Sequence, residues 1–213
     1  MHIHIGSIPR TKEALESIYA GIVSIQDDIY NMFPSCLRDT SKFKQKSYCG
    51  PLPSHIRSAN DIVNFLSDGN ELFSSFGKPH PKDRSGQSKW SINSRYSIVN
   101  MCNYYYTSRG TIEIRVSTPT FNHSKVAALV LISTLMIKEA LNGFTYTTVE
   151  SLLEASLKRI GGNDRNIQAL HKWLAEYVAL RKKTLNKFTI SDGNVLYEET
   201  FDNDNLLECK PLY

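Results

Sequence analysis

Thr111-Ile112-Glu113-Ile114-Arg115-Val116, "TIEIRV", alternates without a break. Successive side chains of a strand point to opposite faces. Ile112, Ile114 and Val116 therefore make one apolar face, and Thr111, Glu113 and Arg115 the other. Ahead of it lie the turn formers Ser108-Arg109-Gly110 and an aromatic, β-branched run over 90–106, "WSINSRYSIVNMCNYYY". Together they predict a hairpin. The amino end repeats the design. In Met1-His2-Ile3-His4-Ile5-Gly6, "MHIHIG", His2 and His4 share one face of a short strand, and Ile3 and Ile5 the other. If both strands join one sheet with apolar faces on helices, His2, His4, Glu113 and Arg115 line its opposite face. An imidazole and a carboxylate on neighbouring strands can share a divalent metal, and an arginine nearby offers a planar fork for phosphate oxygens. A metal beside a phosphate clamp is the minimum for phosphoryl transfer. Each piece also has a plain structural reading: histidines on an edge strand, and a cross-strand Glu–Arg ion pair.

The rest of the chain reads mostly as helix. Thr11 is placed to cap a helix whose Leu15, Ile18, Ile22, Ile25, Ile29 and Phe33 recur at helical spacing, with Pro34 and Ser35 ending it. Residues 36–54 are polar and rich in turn formers, and 59–67, "ANDIVNFLS", predicts a short helix. The stretch 77–89, "GKPHPKDRSGQSK", has a loop's composition. A long apolar helix is expected over 124–142, then helices near 147–159 and 164–186, the last capped by Asn163 and burying Ile167, Leu170, Leu174 and Tyr177. The tail 189–213 adds a hairpin or wraps the surface. Strands segregated from helices argue for an α+β fold with an antiparallel sheet.

Composition narrows the function classes. The chain has 213 residues, 41% apolar and 22% charged, enough for one substantial core. A net charge of +4 is spread along the sequence, giving nucleic-acid binding little support; Arg181-Lys182-Lys183 reads as a solvated helix end. The cysteines Cys36, Cys49, Cys102 and Cys209 lack CxxC spacing, and nothing at the amino end reads as a signal peptide. Reduced thiols and a cytoplasmic location are expected. The longest apolar run, 126–137, is twelve residues, whereas a bilayer span needs about 20.

"MHIHIG", "PSCLRDTSKFKQKSYCGPL" over 34–52, "RYSIVN" over 95–100 and "RGTIEIRVSTPTFN" over 109–122, followed by a long apolar helix, resemble in order and spacing the amidoligase family. These are carboxylate–amine ligases related to glutamine synthetase and glutamate–cysteine ligase. The resemblance covers roughly 1–142, with 143–213 a helical extension packed on the same domain. It implies a glutamine-synthetase-like antiparallel sheet whose concave face holds ATP and magnesium. By resemblance His2 and Glu113 would be metal ligands, His4 would contact phosphate or substrate, and Arg115 would grip the transferring phosphoryl group. Arg95 and Lys89 would help bind nucleotide, with the basic loop before Lys89 as a flap. Arg38 and Asn100 would hold substrate, although strand alternation puts Arg95 and Asn100 on opposite faces. The related enzymes carry a Glu-x-Glu strand upstream of the histidine strand, and no Glu-x-Glu occurs in these 213 residues. The expectation is thus the C-terminal part of such a ligase, acting on a small-molecule or peptide carboxylate and an amine, and either incomplete as given or completed by another chain. The alternative is a degenerate binding or interaction module that retains the fold. A zinc hydrolase of barrel type, where a strand HxH also binds metal, would need eight βα units; too few strands are foreseen.

Overall fold

The computed structural model describes residues 2–33, 49–67, 97–106, 110–116, 122–160 and 163–185. Helix α1 spans Lys12–Tyr30, and the Thr11 side chain caps it by accepting from the Ala14 N–H. Its apolar stripe, Leu15, Ile18, Ile22, Ile25 and Ile29, is buried along its whole length. Helix α2, Ala59–Ser67, packs against α1. The long apolar run becomes a helix over His123–Leu141 (α4), capped by the Asn122 side chain on the Lys125 N–H. Helices α1 and α4 pack closely enough that a Cβ added at Gly21 would lie 2.6 Å from the Cβ of Ala140.

Helices α5, Val149–Ile160, and α6, Arg165–Leu185, pack on each other, and α5 also packs on α4 and α1. Asp28 ties three of these helices together. Its Oδ2 accepts from the Val149 N–H at 2.7 Å and from Lys182 Nζ at 2.6 Å, and Lys182 also pairs with Glu150 at 2.7 Å. This corrects the solvated reading of 181–183. Lys182 is drawn into that cluster, and Arg181 is 1% exposed with its guanidinium donating to the Met32 carbonyl. The cap of α6 also differs by one residue. Asp164, directly before the first helical residue, accepts from the Asn166 and Ile167 N–H groups, the position from which a carboxylate can reach them.

Three short strands form one antiparallel sheet: β1 (Ile3–Ile5), β2 (Val99–Asn100) and β3 (Ile112–Ile114), in the order β1-β3-β2. Ile3 pairs with Ile114 and Ile5 with Ile112. This apolar face meets α1 and α4, where Ile3, Ile114 and Val116 oppose Ile29, Ile132 and Met136. The architecture is thus α+β, mixed helix with a small antiparallel sheet.

The predicted hairpin is realised only near its second strand. Residues 99–100 are extended, but Cys102–Tyr106 is a short helix, α3. Two contacts favour that turn over continued strand. The Asn100 side-chain oxygen accepts from the Cys102 N–H at 3.0 Å, a local alternative to a ladder bond. Arg10 donates to the Tyr104 carbonyl at 3.0 Å and to that of Tyr105 at 3.4 Å. Tyr104 and Tyr105 are core residues, so the aromatic run is buried without being a strand. Residues 90–96, the 77–89 loop and the 189–213 tail lie outside the described residues. Cys49 and Cys102 are buried thiols outside any disulfide; Cys36 and Cys209 also fall outside the described residues. Among the described residues no helix is long and apolar enough to cross a membrane.

Candidate functional site

The sheet register assembles the polar face. His4 and Asn100 are both Cα partners of Glu113, so one row of polar side chains crosses all three strands. His2 and Arg115 flank that row. Glu113 is 5% exposed, and its carboxylate is the hub. Oε1 lies 2.7 Å from His2 Nδ1 and 3.2 Å from Arg115 Nη2, while Oε2 accepts from Asn100 Nδ2 at 2.8 Å.

Burial works to raise the Glu113 carboxyl. The hydrogen bonds from Arg115 and Asn100, followed by the charges of Arg115 and His2, outweigh it and hold the group below its ordinary range. Burial lowers the His2 imidazole below its usual value; the Glu113 charge opposes this, and the Arg115 charge adds to it. At neutral pH an ionised carboxylate therefore faces a neutral imidazole. An ionised carboxylate only accepts, so Nδ1 of His2 must carry the proton and Nε2 the lone pair.

Asn100 is used at both ends, its amide nitrogen on Glu113 and its oxygen on the backbone of α3. Arg115 is 8% exposed, its backbone N–H donates to Ile98, and its carbonyl accepts from the Cys49 thiol at 3.1 Å. Burial pushes that thiol up, so it stays protonated and acts as a donor. His4 is exposed, and no hydrogen bond or ion pair engages it among the described residues.

The structure thus brings together His2, His4, Asn100, Glu113 and Arg115. Arg38, Lys89 and Arg95 lie outside the described residues. No family model, curated protein or solved structure matches this chain.

The donor set does not fit a magnesium cage. Magnesium asks for six oxygens in near-octahedral geometry. This face offers one carboxylate, already shared by a guanidinium, an amide and an imidazole, beside two imidazoles. Among the described residues no group of three or more His, Cys, Asp or Glu side chains could hold a metal ion. Two supporting residues escaped the reading of the sequence. Arg10 fixes the α3 turn from a point 94 residues away, and Cys49 anchors the backbone at Arg115 from a separate segment. Neither link follows from local periodicity.

Proposed function

We propose that this polar sheet face is an anion-binding site of the carboxylate–amine ligase type, of glutamine-synthetase-like architecture and dependent on ATP. One observation supports the reading above the others: the histidine strand and the Glu-x-Arg strand are direct neighbours, with His4 in register with Glu113. In this reading a substrate carboxylate oxygen attacks the γ-phosphorus of ATP, the bond to the bridging oxygen breaks, and ADP leaves. An amine nitrogen then attacks the acyl carbon, phosphate departs, and the nitrogen loses a proton to give the amide. Arg115 supplies fixed positive charge where the transferred group becomes most negative. Glu113 and Asn100 orient that guanidinium, and His4, the exposed member, donates to a phosphate or carboxylate oxygen. Arg38, Lys89 and Arg95 remain assigned to substrate and nucleotide on the resemblance. Magnesium would have to come with the nucleotide phosphates, and no residue of this face is assigned to hold it.

The burial of Arg115 and its engagement by Glu113 favour a second reading, an interaction module that keeps the fold without turnover. Calorimetry with a non-hydrolysable ATP analogue and magnesium separates the two. The ligase reading predicts binding that Arg115→Ala weakens about tenfold or more, the loss of a charge-assisted contact. Silence in the wild-type chain, or equal affinity in the variant, would remove nucleotide chemistry from this face.

A further inference from the structure

The ligase reading gives the His2 ring no chemical role. We infer that His2 Nε2 is a nucleophile that accepts a phosphoryl group from an acyl phosphate, with Glu113 behind it as a positioning residue. The inference goes beyond the ligase reading and does not depend on it.

The geometry of the hub carries it. Glu113 Oε1 lies 2.7 Å from His2 Nδ1, so that nitrogen holds the ring proton and Nε2, at the far end of the ring, holds the lone pair. The His2 side chain is 52% exposed and that of Glu113 6%. A ring anchored through Nδ1 to a buried carboxylate turns its other nitrogen outward. A nucleophile held by a partner that is itself oriented by further groups is the recurring arrangement of covalent catalysis. Here both carboxylate oxygens are held, Oε2 by Asn100 Nδ2 at 2.8 Å and Oε1 by Arg115 Nη2 at 3.2 Å.

The charges suit transfer to nitrogen. Attack of Nε2 on the phosphorus forms the N–P bond and breaks the P–O bond to the acyl group, whose oxygen takes the electron pair and leaves as a carboxylate. The ring keeps its Nδ1 proton and becomes a cationic N-phosphoryl imidazole. Glu113 lies against that proton, so its attraction strengthens as the bond forms, and an interaction stronger in the transition state than at rest lowers the barrier. At rest the Arg115 guanidinium balances the carboxylate, so these two groups together present no net negative charge to an incoming phosphoryl group. His4 supplies the comparison. It is exposed two residues along the same segment, and no carboxylate holds it among the described residues.

The test incubates the untagged 213-residue chain with acetyl phosphate and no nucleotide. Mass spectrometry follows acid-labile phosphate on each histidine, and nitrogen–phosphorus couplings identify the ring atom. The expected product is a phosphoryl group on His2 Nε2, formed about tenfold faster than at His4, the differential worth of one hydrogen bond to a charged group. His2→Asn should abolish the fast phase. Glu113→Gln, with its fold checked by circular dichroism, should slow labelling of His2 about tenfold, toward the rate at His4. Equal rates at His2 and His4 in the wild-type chain, labelling at Nδ1, or no phosphohistidine at all would overturn the inference. The wild-type comparison requires no variant to fold, and without nucleotide neither outcome bears on the ligase reading.

Discussion

Glu113→Ala will lower the unfolding free energy by about 3–5 kcal/mol at pH 7, measured by urea denaturation. The substitution removes one partner of a buried ion pair and strands the other. Arg115 is 8% exposed, so its guanidinium loses that carboxylate within a largely buried setting. Asn100 loses an acceptor in the same step. The double variant Glu113→Leu with Arg115→Met should be less destabilised than Glu113→Ala alone, because no charge is left without its partner.

The sign of the pH dependence follows from the same hub. The folded carboxyl titrates below the ordinary 4.5, so its stabilisation is complete above that value and is lost as pH falls through the folded value. The gap between wild type and Glu113→Ala should therefore be widest near neutrality and close in acid. A gap independent of pH would mean that packing, not charge, is what the alanine removes.

The second large effect lies at the crossing of α1 and α4. Gly21→Leu should destabilise by about 3 kcal/mol, because the added carbons enter a contact with no slack. Even a single Cβ would sit 2.6 Å from the Cβ of Ala140, an atom fixed to its own helix backbone that cannot move aside alone. The modest gain from replacing glycine in a helix interior, about 1 kcal/mol, is smaller than that overpacking. Gly21→Ala should show a reduced version of the defect, and Ala140→Gly in the same chain should relieve it. Thermal melts of the single and double variants measure both. Full additivity would show that the two positions are not in contact.

The parts of the fold legible in the sequence are those decided by local periodicity. The stripe Leu15 to Ile29 made α1 readable, and strict alternation in "TIEIRV" and "HIHI" assigned faces that the register upholds. What was not legible depends on distant partners. The three tyrosines at 104–106 favour strand by propensity, yet Arg10 and the Asn100 side chain make a helical turn there. A run of three basic residues reads as solvated unless one knows that Asp28 and Glu150 wait opposite Lys182.

The site follows the same division. Alternation was enough to bring His2, His4, Glu113 and Arg115 to one face. It could not show that Glu113 would be occupied by three donors, because Asn100 reaches it from another strand and Arg115 from its own.

Long-range proton–nitrogen correlation spectra of the His2 imidazole at pH 7.5 test the central claim, that the two strands lock this ring to Glu113. The geometry predicts a neutral ring protonated on Nδ1, reverting toward the usual mixture of tautomers in Glu113→Gln. A ring protonated on Nε2, unaffected by that substitution, would contradict the account.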